Sequence, residues 1–192
     1  MAALIRNGVT IDDTFAEAFP MSGTGVIVTA VNERWVMAAA QSMTGFATSV
    51  IACGCEAGID RMLSPDETPD GRPGARLLIF GMEPVGLAKM LATRLGQCIL
   101  TSPSSACYAG LEGETRIDLG NAIRYFADGW QVSKKFGDKH FWRMPVMEGE
   151  FLCEAETGLT GKAVGGGNLL FLAKDAAHAL RAAEAAVDAI HK

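Results

Sequence analysis

The sequence has few charged residues and lacks the features that mark nucleic-acid-binding, secreted and membrane-spanning proteins. Charged residues make up 20% of its 192 positions, and the formal net charge is -5 at pH 7. No basic stripe is present to neutralise phosphates, so nucleic acid is not expected as a partner. The N-terminal segment has no apolar run of secretory length, and no run elsewhere is long enough to cross a bilayer. We therefore expect a soluble cytoplasmic protein with no membrane partner.

Paired cysteine motifs are also lacking. The sequence has five cysteines, which are Cys53, Cys55, Cys98, Cys107 and Cys153. Their number is odd, and neither a CxxC pair nor a nearby histidine accompanies the one CxC motif. This pattern is typical of reduced thiols in a cytoplasmic protein, and it predicts no metal site.

Hydrophobic residues are plentiful, at 49% of the sequence, which predicts an extensive core. Their spacing predicts a succession of elements over residues 24 to 102. In order, these are a strand over 25–31, a helix over 33–43 between an Asn32 cap and a C′ glycine at Gly45, strands over 48–53 and 75–82, a helix over 84–96 and a strand over 98–101. This order is the one expected of a ferredoxin-like split βαβ lobe, an α+β fold.

The second half repeats this order in part. Strands are predicted over 139–144, 150–154 and 168–173, and an alanine-rich helix follows Asp175. The residues predicted on its buried face are Leu180, Ala183, Val187 and Ile190. No closing strands follow the helix, so we expect two lobes with the second incomplete. Residues 1–147 would form the N-terminal ferredoxin-like lobe with an extension, and 148–192 the start of the second.

Ionisable residues are dense between Glu56 and Gly74, a stretch predicted as a long loop that prolines stiffen. Such a loop is either a solvated connection or a wall of a ligand site. Arg72 lies between two prolines and two glycines, so its guanidinium would lose little entropy on binding an anion or a carboxylate. Alternatively, Arg72 pairs with Asp70 or Glu67.

Small polar residues crowd the end of the strand predicted over 98–101, where a polar loop is predicted over 101–110. They are Gln97, Thr101, Ser102, Ser104 and Ser105. A polar ligand could approach the backbone there, or the residues could form caps and turns. None of the serines lies in a GxSxG motif or near a histidine in sequence, so a hydrolase triad is not supported. Glu148 and Glu150 form a second carboxylate feature, which is either a general acid or base or an exposed strand end.

Eight segments carry a resemblance to a known family. They are DDTFAEAF (12–19), TGFATSVIACGCEAGID (44–60), ETPDGRPG (67–74), RLGQCILTSPSSAC (94–107), FADGW (126–130), MPVMEGEF (144–151), GGGNLLFLA (165–173) and AAEAAVDAI (182–190). With these segments in this order, the chain resembles the formylmethanofuran:tetrahydromethanopterin formyltransferases of methanogens and methylotrophic bacteria.

The resemblance implies formyl transfer between tetrahydromethanopterin and methanofuran in one-carbon metabolism, by attack of the pterin N5 on the formamide carbon. The two carriers are substrates, and no metal or bound cofactor is implied. The implied fold is two ferredoxin-like lobes related by duplication. The implied partners are further copies of the chain, other subunits of a formyltransferase/hydrolase complex, or both. The alternative is a non-catalytic scaffold or pterin-binding subunit of such a complex.

The resemblance also bears on individual residues. It places the acid–base carboxylate of the family beyond Lys192, so no catalytic residue is assigned within the chain, which is either part of a longer protein or a shortened homologue. The residues expected to bind substrate are Glu56, Asp60, Asp70, Arg72, Gln97, Thr101, Ser104, Glu150 and Asn168.

Overall fold

The computed structural model describes residues 4–12, 18–147, 149–166 and 169–190, which adopt an α+β fold. They belong to two compact units. One is Pro20–Val164, and the other is drawn from Met1–Phe19 and Gly165–Lys192. No helix in the described ranges is long and apolar enough to cross a bilayer.

The strands and helices are numbered in chain order. The strands are β1 (Leu4–Arg6), β2 (Val9–Ile11), β3 (Phe19–Thr29), β4 (Glu56–Leu63), β5 (Gly74–Gly81), β6 (Ala106–Ala109), β7 (Arg116–Asp118), β8 (Val132–Phe136), β9 (Lys139–Val146), β10 (Gly149–Glu154) and β11 (Glu156–Gly165). The helices are α1 (Glu33–Thr44), α2 (Val50–Cys53), α3 (Pro84–Arg94), α4 (Gly120–Ile123) and α5 (Ala176–Ile190). Leu95–Ile99 continues α3 as a π-helix, and Pro65–Glu67 and Arg124–Ala127 are 3₁₀ turns.

The larger unit is built on a mixed sheet with the strand order β4-β5-β3-β6-β10-β9-β8. All neighbours along this path are antiparallel except β6 and β10, which are parallel with Cys107 opposite Cys153. The strand β3 pairs with β5 along Ser22–Thr29 but with β6 only along Val26–Thr29. It also pairs with β11, which in turn pairs with β7.

Two reciprocal hydrogen bonds join β3 to β11. The Thr24 hydroxyl donates to the Gly158 carbonyl at 2.7 Å, and the Thr157 hydroxyl donates to the Gly25 carbonyl at 2.8 Å. The backbones approach closely at this point, because a Cβ added to Gly110 would lie 2.6 Å from the nitrogen of Val26. Glycine is therefore required where β3 changes partner.

The helix predicted after Asn32 is confirmed, because the Asn32 side chain accepts a hydrogen bond from the Trp35 nitrogen and starts α1. Val36, Ala39, Ala40 and Met43 on its apolar face are buried. Gly45 ends the helix as predicted, but with a φ of -63° rather than the left-handed conformation usual for a C′ glycine. The left-handed residue is Phe46, with a φ of 48°.

The strand predicted over 48–53 is wrong, because Val50–Cys53 forms the short helix α2. The Glu56 carboxylate accepts a hydrogen bond from the Val50 nitrogen at 3.2 Å, and Gly54 ends the helix at a φ of 77°. The long loop predicted from Glu56 is also wrong over its first half. Residues Glu56–Leu63 form the edge strand β4, whose outward charged side chains discourage pairing with another chain.

The helix starting at Pro84 is confirmed, but the strand predicted over 98–101 is wrong, because the chain continues into the π-helix. The next strand is β6, inside the stretch predicted as a polar loop. Arg94, in the last turn of α3, is only 8% exposed. Its guanidinium donates to the carbonyls of Met43, Gly45 and Phe46 and thereby satisfies the carboxyl end of α1.

In the second half, the strands predicted over 139–144 and 150–154 are confirmed as β9 and β10. The strand predicted over 168–173 is wrong in its described part, because residues 169–173 adopt no regular structure. The helix α5 is confirmed, but its predicted buried face is wrong. Its Leu180, Val187 and Ile190 are exposed, and none of its described residues is buried. The apolar spacing predicts a helix correctly, but burial also requires a partner surface.

Candidate functional site

A hydrogen-bond cluster around Arg72 lies just before β5. The Arg72 Nε donates to Asp70 Oδ2 at 2.8 Å, its Nη1 to the Ser104 carbonyl at 2.5 Å and its Nη2 to Thr29 Oγ1 at 3.0 Å. One side chain therefore connects the turn before β5, the end of β3 and the loop that leads into β6. We call Thr29, Asp70, Arg72, Ser104 and Tyr108 the Arg72 cluster.

Asp70 is the acceptor at the centre of this cluster. Its Oδ2 also accepts hydrogen bonds from the Thr29 hydroxyl at 2.7 Å and from the Tyr108 hydroxyl at 3.0 Å. Burial opposes the charged carboxylate, but the hydrogen bonds from Thr29 and Arg72 outweigh burial, and the pKa of Asp70 lies below its ordinary value. The carboxylate is therefore charged at neutral pH.

Ser104 connects the Arg72 cluster to a cleft. Its φ of 59° is unusual for a residue with a side chain, and its Oγ accepts a hydrogen bond from the Val31 nitrogen at 3.1 Å. The cleft beside it has a volume of about 90 Å³. Its lining residues are Leu100, Ser102, Ser104, Ser105, Val146, Glu150 and Phe151. We call it the serine cleft.

The serine cleft combines an apolar wall with hydroxyl groups and one carboxylate. Phe151 and Ser105 are buried, and the Ser105 hydroxyl donates to the Ile99 carbonyl at 2.5 Å. Glu150 is half exposed and forms an ion pair with Arg143, whose Nε lies 2.9 Å from Glu150 Oε1. Such a cleft suits a small polar group with an apolar body, because hydroxyl groups can orient the polar part while the apolar wall contacts the rest.

The structure brings together four of the residues predicted from the sequence. Asp70, Arg72 and Ser104 belong to the Arg72 cluster, and Ser104 and Glu150 line the serine cleft. Arg72 pairs with Asp70, as the alternative interpretation expected, while Glu67 pairs with Arg61. The guanidinium of Arg72 therefore stabilises the loop of Ser104 in this structure.

The other predicted residues lie elsewhere. Glu56 caps α2, and Asp60 sits at a bulge of β4 where it pairs with Arg76 at 3.6 Å. Gln97 and Thr101 are exposed, and the Thr101 hydroxyl donates to the Gln97 carbonyl at 2.7 Å. The contact between Thr101 and Gln97 is local, as the alternative interpretation of caps and turns expected for that polar stretch. Asn168 and Glu148 lie outside the described residues.

Sequence reasoning missed Thr29, Tyr108 and Phe151. Thr29 ends a β-branched strand, where threonine is common without any ligand. Tyr108 was assigned to a polar loop, yet it lies on β6 and is 3% exposed. Because a buried tyrosine hydroxyl needs a partner, an aromatic residue among small polar residues was the available signal.

A second polar cleft, of about 340 Å³, lies at the start of β9. Its lining residues are Glu112, Arg116, Asp138, Lys139, His140, Glu154, Ala155 and Glu156. Glu154 is 4% exposed, and it accepts from the Ala109 nitrogen at 3.0 Å and lies 3.3 Å from Lys139 Nζ. The buried carboxylate is thus neutralised by groups of the chain itself. Within the described ranges, no group of three or more histidine, cysteine and carboxylate side chains is arranged to hold a metal.

Comparison with known families gives two matches. Residues 4–146 match the family described as formylmethanofuran-tetrahydromethanopterin formyltransferase, and residues 149–192 match the one described as FTR, proximal lobe. The formylmethanofuran-tetrahydromethanopterin formyltransferase of Methylococcus capsulatus is 61% identical over 189 residues, which cover 98% of this chain and 63% of that protein. A subunit of the formyltransferase/hydrolase complex of Methylorubrum extorquens is 58% identical over 194 residues, which cover 98% of this chain and 62% of that protein.

Solved structures match along nearly the whole chain. The X-ray structure of the formyltransferase/hydrolase complex from Methylorubrum extorquens with methylofuran contains a chain that matches with a TM-score of 0.96 and 57% identity, over 99% of this chain and 63% of that one. The formyltransferase of Methanosarcina barkeri matches with a TM-score of 0.91 and 44% identity, over 98% and 64%. The chain thus spans slightly less than two thirds of the length of these relatives.

Proposed function

Since this chain belongs to the formylmethanofuran-tetrahydromethanopterin formyltransferase family, we propose that the protein transfers a formyl group between tetrahydromethanopterin and methanofuran. The observation that carries the proposal is the 61% identity to a formyltransferase over 98% of the chain. Both carriers act as substrates of one-carbon metabolism and not as bound cofactors. No residue of this chain is assigned as the catalytic acid or base.

The transfer requires one bond to form and one to break at the formyl carbon. A nitrogen of one carrier attacks the formamide of the other, the new carbon–nitrogen bond replaces the old one, and the proton of the attacking nitrogen ends on the departing amine. Negative charge develops on the formyl oxygen, and hydroxyl donors in a dry site stabilise such charge. Ser102 and Ser104 are among the residues that line the serine cleft.

We propose that the serine cleft and the Arg72 cluster form part of the carrier site. The support is that Ser104 and Glu150, which are distant in sequence, line one cleft, and that Arg72, which also bonds to Asp70, donates to the Ser104 carbonyl. Glu56, Asp60, Gln97 and Thr101 stay candidates that do not line this cleft. Asn168, which lies outside the described residues, stays a candidate as well.

For the fold, we propose two duplicated ferredoxin-like lobes, with residues 1–147 in the first and 148–192 in the second. The order β3, α1, β4, β5, α3, β6 and the antiparallel sheet order β4-β5-β3-β6 support a ferredoxin-like first lobe. The change of family match between residues 146 and 149 supports the boundary.

For partners, we propose other subunits of a formyltransferase/hydrolase complex and further copies of the chain, in the cytoplasm. The 58% identical Methylorubrum extorquens relative is a component of such a complex. The alternative function, a non-catalytic scaffold or pterin-binding subunit, is favoured by the exposed apolar side chains of α5, because exposed apolar faces mark interaction surfaces.

The test is formyl exchange by the purified full-length protein, alone and with its partner subunits. Isotope-labelled formyltetrahydromethanopterin is incubated with methanofuran, and both carriers are analysed by mass spectrometry. The label should appear on methanofuran at a rate proportional to protein. Binding of the carriers with no exchange by either preparation would instead support the alternative. The variant Glu150→Gln, with the exposed Glu67→Gln as its control, then reports whether the serine cleft contributes.

A further inference from the structure

We infer that Tyr108 is a positioning residue of the formyl transfer, which holds Asp70 and, through Arg72, keeps Ser104 in place at the edge of the serine cleft. The inference rests on the proposed function. It assigns a role in carrier binding to a tyrosine that does not line the cleft.

Packing fixes the direction of the Tyr108 hydroxyl. The side chain is 3% exposed, and its ring packs edge to face against Phe141 with centroids 6.2 Å apart. Tyr108 also lies opposite Ile27 in the pairing of β6 with β3, so its backbone is held by the sheet. The ring is therefore held in place, and its hydroxyl donates a hydrogen bond to Asp70 Oδ2 at 3.0 Å. Burial, followed by the negative charge of Asp70, raises the pKa of Tyr108, so the hydroxyl stays a donor at neutral pH.

Asp70, held by Tyr108, in turn orients the Arg72 side chain. Its Oδ2 receives the hydroxyls of Thr29 and Tyr108 together with the Arg72 guanidinium, and its Oδ1 accepts from the Arg72 nitrogen at 3.2 Å. The two hydroxyls approach from β3 and β6, so they locate the carboxylate relative to the sheet. The carboxylate then orients the planar fork of the guanidinium, whose hydrogen bonds depend on its angle.

Ser104 connects the orientation of Arg72 to the shape of the serine cleft, because it bonds to Arg72 and also lines the cleft. A residue with a side chain pays a conformational cost at a φ of 59°, so its conformation persists only where surrounding contacts hold it. Two such contacts are the hydrogen bond from Arg72 to its carbonyl and the one from the Val31 nitrogen to its Oγ. When Arg72 is less well oriented, Ser104 should relax and alter the rim of the serine cleft.

The test compares Tyr108→Phe with Tyr125→Phe in the full-length protein. Tyr125 is the only other tyrosine in the sequence. Its side chain is exposed and accepts a hydrogen bond from Arg124, and it is not a member of the Arg72 cluster. For Tyr108→Phe we expect KM for at least one carrier to rise about five-fold with kcat within about two-fold, because an interaction common to ground and transition states is weakened. Amide hydrogen exchange over residues 102–105 should accelerate. Tyr125→Phe should change neither quantity.

A double variant tests the route through Asp70. Asp70→Asn should raise KM more than Tyr108→Phe does, and Asp70→Asn combined with Tyr108→Phe should be no worse than Asp70→Asn alone. Additive losses would overturn the inference, as would a Tyr108→Phe variant that melts at a lower temperature with both KM values unchanged.

The same experiment distinguishes failure of the proposed function from failure of the positioning role of Tyr108. A wild-type protein that exchanges no formyl group contradicts the function, whereas the hydrogen-exchange readout needs no activity. Faster exchange over residues 102–105 in Tyr108→Phe would still support the positioning role, and unchanged exchange would overturn it.

Discussion

Two arginine–carboxylate pairs lie between Glu56 and Gly74, and they differ in what surrounds them. Arg61 and Glu67 are 2.6 Å apart, with side chains 53% and 42% exposed. Arg72 and Asp70 are 2.8 Å apart, with side chains 33% and 20% exposed. Hydrogen bonds lower the pKa of both carboxyl groups, that of Glu67 to about 2 because of Arg61 and then Ser64. Neither the distance nor the pKa therefore distinguishes the pairs.

The two pairs differ in the other residues to which they form hydrogen bonds. Glu67 also accepts hydrogen bonds from the nitrogen and hydroxyl of Ser64, so this pair closes its own 3₁₀ turn. The Arg72 pair reaches Thr29, Ser104 and Tyr108, which come from distant parts of the chain. We expect the exposed pair to affect only local structure and the Arg72 pair to affect carrier binding.

The variant Arg72→Ala should show the largest effect. It removes the hydrogen bonds to Asp70, Thr29 and Ser104, so KM for at least one carrier should rise about ten-fold. The free energy of unfolding should fall by about 1 kcal/mol, because the pair is partly exposed and its net contribution is reduced by solvent. Steady-state kinetics and urea unfolding check both values. Unchanged KM for both carriers would remove the distinction between the two pairs.

The variant Arg72→Lys should show a smaller effect of the same kind. The ammonium keeps the charge beside Asp70 but cannot donate simultaneously in the three fixed directions of the guanidinium. We expect KM to rise about three-fold, measured in the same assay. If Arg72→Lys matched the wild type, charge alone would explain the role of Arg72.

Acid should weaken the Arg72 cluster. Because the pKa of Asp70 is lowered on folding, its charge stabilises the protein above the ordinary carboxyl range, and that stability is lost as the pH falls through the folded pKa. The difference in unfolding free energy between wild type and Asp70→Asn should be constant above about pH 5 and shrink below about pH 4. Urea unfolding over this range measures it. A difference that does not change with pH would argue that the charge of Asp70 contributes nothing.

The variant Arg61→Ala should show the smallest effect and serves as the matched control. An exposed ion pair contributes little, so we expect KM values equal to those of the wild type and a melting temperature lowered by no more than about 2 °C. Thermal unfolding and kinetics are measured beside Arg72→Ala. A KM change as large as that of Arg72→Ala would show that this whole stretch, and not the Arg72 cluster, acts on binding.

The sequence predicted elements whose signals are local. Asn32 and the apolar spacing after it predict α1, and Pro84 predicts the start of α3, because caps and periodicity depend on neighbouring residues. The strand predicted over residues 48–53 was wrong because the helix that forms there depends on a cap from Glu56 and a turn at Gly54. The charged residues of β4 gave this stretch the composition of a loop, because an edge strand exposes many of its side chains to water.

The candidate site was predictable only in part. Arg72 with Asp70 could be proposed from their spacing, and Ser104 from its small polar neighbours. Tyr108 and Thr29 could not, because their roles depend on strand pairing that brings β3 and β6 to the same carboxylate. Arg94 shows the same limit, since its partners are the carbonyl groups of residues 43–46.

The reciprocal hydrogen bonds between Thr24 and Gly158 and between Thr157 and Gly25 join residues 134 and 132 positions apart. Contacts of such separation carry a large loop-closure entropy and slow folding. During synthesis β3 leaves the ribosome before β11, so the part of its edge that pairs with β11 stays unpaired until residues 156–165 have been made. The time between the two is a period in which this edge is open to wrong partners, so the rate of translation over residues 30 to 158 bears on the yield of folded protein.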